Sequence, residues 1–222
     1  MIAVVDYCKG NLKSVERGLI AAGGDARITE DPSVIAQADA VVLPGVGAFA
    51  DASATMAATG QMDAVRAAIA SGTPFLGICL GEHLLFEAGV ECAHGPGRDG
   101  APSDDDLPEG LGVIPGIAVR MPQTDAAGAT YKIPHVGWNS LEFEEGCNPL
   151  LEGIAPGEYF YFTHSYIAPA SSATFATTTH SITFPAAVQR GSAFGVQFHP
   201  EKSSDAGARV LRNFVGLVRS RA

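Results

Sequence analysis

The sequence is poor in positive charge: its 222 residues carry 14 Lys and Arg against 24 Asp and Glu, a net charge of −10. Such a chain has no general attraction to phosphate backbones, so nucleic acid and anionic membranes are excluded as expected partners. Charge of either sign is scarce, at 17% of residues against 46% apolar, which excludes the composition of a disordered protein. No apolar run approaches the ~20 residues of a membrane helix. The opening Met1-Ile-Ala-Val-Val-Asp-Tyr7 has neither a basic n-region nor a signal-type cleavage site, and a cytoplasmic protein is expected. Cysteine is sparse too. Cys8, Cys79, Cys92 and Cys147 include no close pair, which argues against a disulfide framework and against a zinc site; no metal or cofactor is expected. Internal repeats, a P-loop and a Rossmann glycine pattern are all missing, and no composition break marks a linker. The expectation is one domain, residues 1–222.

What is present alternates between strand and helix. Ile2 to Asp6 is a continuous apolar run, as in a strand buried on both faces, and Leu12, Val15, Leu19 and Ile20 then recur at helical spacing up to Gly23-Gly24. Ala40 to Leu43 reads as strand and Met62 to Ala70 as helix; Pro74 to Ile78 as strand and Leu80 to Ala88 as helix. This rhythm predicts right-handed βαβ units in a doubly wound, mostly parallel α/β sheet, with active groups at the carboxyl ends of the strands. From Gly112 the pattern turns to strand-like segments: Ile117 to Met121, Gly137 to Phe143, Tyr159 to Ile167, Thr174 to Thr179, Ala186 to Gln189 and Phe194 to Phe198. They predict antiparallel additions to the sheet. A last helix over 206–219 places Val210, Leu211, Phe214, Leu217 and Val218 on one face, with Ser203, Ser204 or Asp205 as its cap. Cys92 to Gly110 is rich in Gly and Pro, lacks apolar periodicity and reads as a mobile surface loop without chemistry.

Three stretches carry chemistry. Gly77-Ile78-Cys79-Leu80-Gly81 has the form of a nucleophile elbow with Cys in place of Ser, where flanking glycines let backbones pack closely around a strained turn. A helix N-terminus beside the sulfur favours the thiolate. The competing reading, an inert core cysteine, is weakened by those two glycines. Gly195-Val-Gln-Phe-His-Pro-Glu201 ends a strand on His199, a candidate base, and Pro200 breaks the strand so that Glu201 can turn back to orient the imidazole. Pro44-Gly45-Val46-Gly47 closes an earlier strand at the same rim, where its amides, with that of Leu80, can face a tetrahedral oxyanion.

Together Leu43-Pro-Gly-Val-Gly-Ala-Phe49, Gly77-Ile-Cys-Leu-Gly81 and Gly195-Val-Gln-Phe-His-Pro-Glu-Lys-Ser203 resemble the triad-type, class I glutamine amidotransferases. Asp6-Tyr7 with Gly10-Asn11-Leu12, Lys132-Ile-Pro-His-Val-Gly-Trp-Asn139 and His164-Ser165-Tyr166 are similar to the glutaminase subunits of imidazole glycerol phosphate synthases. The resemblance implies a flavodoxin-like amidotransferase fold and a Cys79-His199-Glu201 triad that hydrolyses glutamine to glutamate and ammonia. It implies an oxyanion hole at Gly45, Val46 and Leu80, substrate contacts at Gly47, His83, His164, Ser165 and Tyr166, and a cyclase partner in a heterodimer, met near Asn11, Trp138 and Lys202. Ammonia would pass to that cyclase, which makes imidazole glycerol phosphate for histidine biosynthesis. The acidic chain, with no phosphate-binding loop, fits an ammonia acceptor bound on another subunit. Two positions depart from the family. Gly81-Glu82-His83 stands for the usual Gly-Met-Gln: His83 can still donate one hydrogen bond, whereas Glu82 opposes thiolate formation if it points into the cleft. Cys8 stands for a glycine and would be strained at positive φ. Two other functions fit the same residues: a docking subunit with impaired glutamine binding, and a free-standing cysteine hydrolase.

Overall fold

Four apolar strands build the centre, each buried on both faces. In β1 (Ile2–Val5), Ile2 and Val4 enter one hydrophobic cluster, and Ala3 and Val5 the other. β3 (Ala40–Gly45) and β4 (Phe75–Cys79) divide their side chains in the same way, which is why these runs show no polar alternation. A computed structural model describes residues 1–8, 10–91 and 107–221. Its seven-stranded sheet has the order β10-β11-β12-β4-β3-β1-β2, with β2 (Ala26–Thr29), and with β10 (Thr174–Thr179), β11 (Thr183–Arg190) and β12 (Ala193–Val196). β2, β1, β3, β4 and β12 run parallel; β11 and β10 are antiparallel additions, as expected. Helices α1 (Leu12–Ala21) and α6 (Ser204–Arg219) cover one face. α2 (Pro32–Ala36), α3 (Phe49–Ala58) and α4 (Gln61–Ala70) cover the other.

β2, α2 and α3 were not anticipated: α2 is too short to show a period, and the buried face of α3 (Phe49, Ala52, Ser53, Met56) keeps helical spacing but consists largely of small residues. The helix expected over 80–88 stops as α5 (Leu80–His83), followed by β5 (Phe86–Gly89). Carbonyls that a longer helix would use are taken instead by the chain ahead: Leu111 donates to Leu84 O at 2.6 Å, and Val113 to Leu85 O at 2.9 Å. Gly110 is buried beside Phe86, so 107–110 belong to the packed body, while 92–106 of the expected loop lie outside the described residues.

The expected strand 159–167 breaks at Ser165. β8 (Tyr159–His164) pairs with β7 (His135–Ser140) in a sheet of its own, and β9 (Tyr166–Ile167) pairs with β6 (Ile114–Arg120), itself parallel to β5. β12 is likewise parallel to β4, not an antiparallel addition. On α6, Val215 is buried and Leu217 only half-buried. Cys8 does adopt the strained φ of 68°, steadied by its amide donating to Asp6 Oδ1 at 2.7 Å.

Candidate active site

The parallel strands end at one rim, and the groups singled out in the sequence meet there. Cys79 is the last residue of β4 and directly precedes α5, with φ 54° and ψ −106°, a conformation an L residue holds only when its surroundings impose it. The glycines supply those surroundings. A Cβ on Gly77 would run into Gly81 O, and one on Gly81 into Leu43 O, so α5 rests directly on the backbones of β3 and β4.

Cys79 is 6% exposed, and its sulfur lies 3.9 Å from Thr163 O and 3.6 Å from Gln197 Nε2, which donates to it. His199 follows β12, and its Nδ1 pairs with Glu201 Oε1 at 2.9 Å, both side chains being nearly inaccessible. Its Nε2 closes no hydrogen bond among the described residues. Burial alone would lower the proton affinity of the ring, but interaction with Cys79 and Glu201 outweighs it, and the pKa stands at about 9.

β8 holds the turn in place. His199 N donates to Tyr161 O at 2.9 Å, Tyr161 N to Ser203 Oγ at 3.0 Å, and Ser203 Oγ to His199 O at 2.7 Å. Ser203 therefore precedes α6 without capping it by its side chain; its hydroxyl is spent on the histidine turn.

Above the sulfur lies a cleft of about 420 Å³, ample for a single amino acid. Val46, Gly47, Leu80, His83, His164, Ser165 and Tyr166 line it, each a site residue expected from the sequence, together with Ala48, Glu91, Pro134 and Thr163, to which the sequence assigns no site role. Glu91 accepts from Phe49 N at 3.1 Å and so caps α3 from a remote segment, with no local signal to reveal it. Gly45 lies behind the rim, where a Cβ would strike Tyr7 Oη and come within 2.7 Å of Leu80 Cβ. Both ring nitrogens of His164 are engaged, Nδ1 with Tyr166 O at 2.8 Å and Nε2 with His135 Nδ1 at 3.0 Å, which fixes the bend at Ser165.

On the outer face of β7 and β8, Trp138 is 49% exposed with its ring 6.0 Å from that of Tyr161, over which Lys202 Nζ stands at 5.8 Å. Asn11 starts α1, which packs against the turn carrying Lys202.

Glu82 does not enter the cleft. It is fully buried beside Gly195, and neither carboxyl oxygen has a hydrogen-bond partner among the described residues. Burial, and then Cys79, push its pKa well above 4.5, so the folded protein holds the proton while the unfolded chain releases it above that value. Folding is thus opposed increasingly as pH rises past 4.5. Glu82→Met removes this penalty and is expected to add about 2 kcal/mol near pH 7, or roughly 5 °C in Tm. Thermal melts at two pH values test it: the gain should be clearly larger at pH 7.5 than at pH 5, and equal gains, or a lower Tm at pH 7.5, would contradict a protonated Glu82.

A strained cysteine at a strand-to-helix turn and a buried His-Glu pair thus end neighbouring strands of one α/β sheet, and the comparisons show the class to which such a chain belongs. Residues 3–217 match the family described as glutamine amidotransferase class-I. A crystal structure of a glutamine amidotransferase superposes with a TM-score of 0.70 over 99% of this chain and 100% of that one, at 19% identity. A putative GMP synthase protein from Thermoplasma acidophilum superposes with 0.66 over 99% and 94%, also at 19% identity. The chain belongs to the class I glutamine amidotransferases, and within them to the family of imidazole glycerol phosphate synthase subunit HisH. It is 42% identical to that subunit of Syntrophotalea carbinolica, covering 96% of this chain and 98% of the relative, and 41% identical to that of Caldanaerobacter subterraneus, covering 99% of each.

Proposed function

We propose that the chain hydrolyses glutamine to glutamate and ammonia with Cys79 as nucleophile, and hands the ammonia to a cyclase subunit that makes imidazole glycerol phosphate in histidine biosynthesis. The observation that carries this reading is a cysteine held in an otherwise unfavourable backbone conformation at the end of β4, with the buried His199-Glu201 pair following the neighbouring parallel strand β12. Cys79 Sγ attacks the side-chain amide carbon, and the His199 imidazolium gives its proton to the departing nitrogen, releasing ammonia and leaving a γ-glutamyl thioester. The neutral ring then takes a proton from water, whose oxygen attacks the thioester; glutamate leaves and the thiolate-imidazolium pair is restored. The amides of Val46 and Leu80, beside Gly45, are the candidate donors to the oxyanion, and the first N–H groups of α5 have no acceptor within the helix. Gly47, His83 and the His164-Ser165-Tyr166 bend line the space for the amino-acid end of the substrate.

The partner face is the cluster of Trp138, Tyr161 and Lys202, together with Asn11 at the start of α1, the helix that packs on the turn carrying Lys202. An exposed tryptophan set edge-on against a tyrosine suits a protein interface, and the relatives are named as synthase subunits. The enzyme is then a cytoplasmic heterodimer in which ammonia crosses from one subunit to the other. The test incubates the chain with glutamine, with and without the cyclase and its nucleotide ligand, and measures glutamate. Strong stimulation by the loaded cyclase is expected. Robust hydrolysis by the chain alone would select a free-standing hydrolase. A normal complex that makes product only from added ammonium salt would select a docking subunit.

A further inference from the structure

Besides the triad, two buried polar side chains form a chain that ends on the sulfur, Gln197 and behind it His83, neither of which the proposed chemistry uses as acid or base. The geometry puts them there. In the extended chain after β12, Gln197 and His199 are two apart and share a face, while Phe198 points the other way to pack on Phe160 at 4.3 Å between centroids. Across the elbow, Cys79 and His83 are four apart and share a face of the first helical turn. Gln197 is fully buried, with its Nε2 3.6 Å from Cys79 Sγ and its Oε1 2.7 Å from His83 Nε2. We infer that Gln197 is a further catalytic residue, whose amide N–H holds the Cys79 thiolate, and that His83 is a positioning residue acting through it by donating Nε2–H to the amide oxygen.

Proton placement leaves one consistent arrangement. A thiolate only accepts, so Gln197 must present its NH₂ to sulfur and its oxygen to His83, and that oxygen requires a proton on His83 Nε2. Burial holds the His83 ring neutral, with a pKa pushed down to about 4, so the one ring proton sits on Nε2 and Nδ1 carries none. A neutral ring adds no positive charge to compete with His199, and the neutral Glu82 adds no negative one. The Glu82-His83 departure thus leaves the nucleophile supported, with His83 committed first to Gln197.

This inference rests on Cys79 being the nucleophile, and its test needs neither glutamine nor cyclase. The full chain is alkylated with iodoacetamide at pH 7 and the Cys79 peptide is followed by mass spectrometry, with the exposed Cys8 and Cys147 as internal references. Gln197→Leu should slow Cys79 about tenfold, the scale of one hydrogen bond to a charged group, and leave both references unchanged. At about pH 10, where an ordinary thiol ionises unaided, the variant and parent rates should converge; a purely steric change would separate them at both pH values. His83→Leu should slow the reaction about threefold, and His83→Gln, which keeps an N–H donor, much less. Because His83 acts through Gln197, the double variant should match Gln197→Leu alone. If Gln197→Leu fails to give a cooperative melt, Gln197→Met, of equal length, is read by the same criteria. An unchanged Cys79 rate at pH 7 in a folded Gln197 variant, or additive effects in the double variant, would overturn the inference. Failure of glutamine turnover with intact alkylation shifts would instead count against the glutaminase reading and leave this one standing.

Discussion

Replacing Cys79 with Ala is expected to lower glutamine-dependent synthesis by the assembled complex about a thousandfold or more, while synthesis from added ammonium salt persists. The split follows from where the chemistry lies. The sulfur forms and breaks the covalent bond to glutamine, so its loss leaves only the polarising amides of the rim and the binding cleft, whereas free ammonia needs none of these groups. His199→Ala should fall to a similar level, because the ring supplies the leaving nitrogen with its proton and takes one from water. Glu201→Gln should lose less. Glu201 contacts the ring only at Nδ1, 2.9 Å away, and its amide oxygen can still accept that hydrogen bond. The measurement is product formation from glutamine and from ammonium, for each variant in complex with the cyclase. Loss of both activities would place the defect in folding or assembly, and retention of glutamine-dependent turnover by the Ala variant would remove Cys79 from the reaction.

Cys79, His199 and the Gly45 turn are legible in the sequence because each ends an apolar run that folds as a parallel strand, and parallel strands deliver their carboxyl ends to one rim. Gln197 carries a weaker signal, its two-residue spacing from His199, which becomes informative only once the strand is known to continue past Val196. Other features depend on contacts between distant segments. α5 reads as the start of a long helix because Leu84, Leu85 and Phe86 are apolar and well spaced; it stops because residues 111–114 claim its carbonyls, and no local pattern reports that. The break at Ser165 is hidden for a similar reason. Phe160, Phe162, Thr163 and Tyr166 favour strand on both sides of it, and the bend comes from a histidine ring held between Tyr166 O and a second histidine on β7. Glu82 is the sharpest disagreement between residue type and place: a charged residue predicts exposure, yet the tight seat of α5 turns its side chain inward against Gly195, where it survives as the neutral acid.

That tight seat makes Gly81→Ala the most damaging small change expected in the fold. The added methyl would overlap Leu43 O, a backbone atom in the middle of a paired strand that cannot rotate aside, so α5 must lift from the sheet. Lifting it breaks the contact between Gly77 and Gly81 and moves Leu80, His83 and the imposed geometry of Cys79 together. A loss of about 3 kcal/mol or more is expected, at the upper end for overpacking, because the obstacle is backbone and not a flexible side chain. Any protein that still folds should also lose roughly a hundredfold in glutamine turnover, the scale of a nucleophile displaced by about an ångström. Gly216→Ala is the matched control. It lies within α6 with open space where its Cβ would go, and should stabilise by about 0.5–1 kcal/mol through helix propensity alone. Denaturant unfolding of the two variants separates the explanations: opposite signs are required if close packing at the elbow, and not glycine's intrinsic helix propensity, decides the outcome.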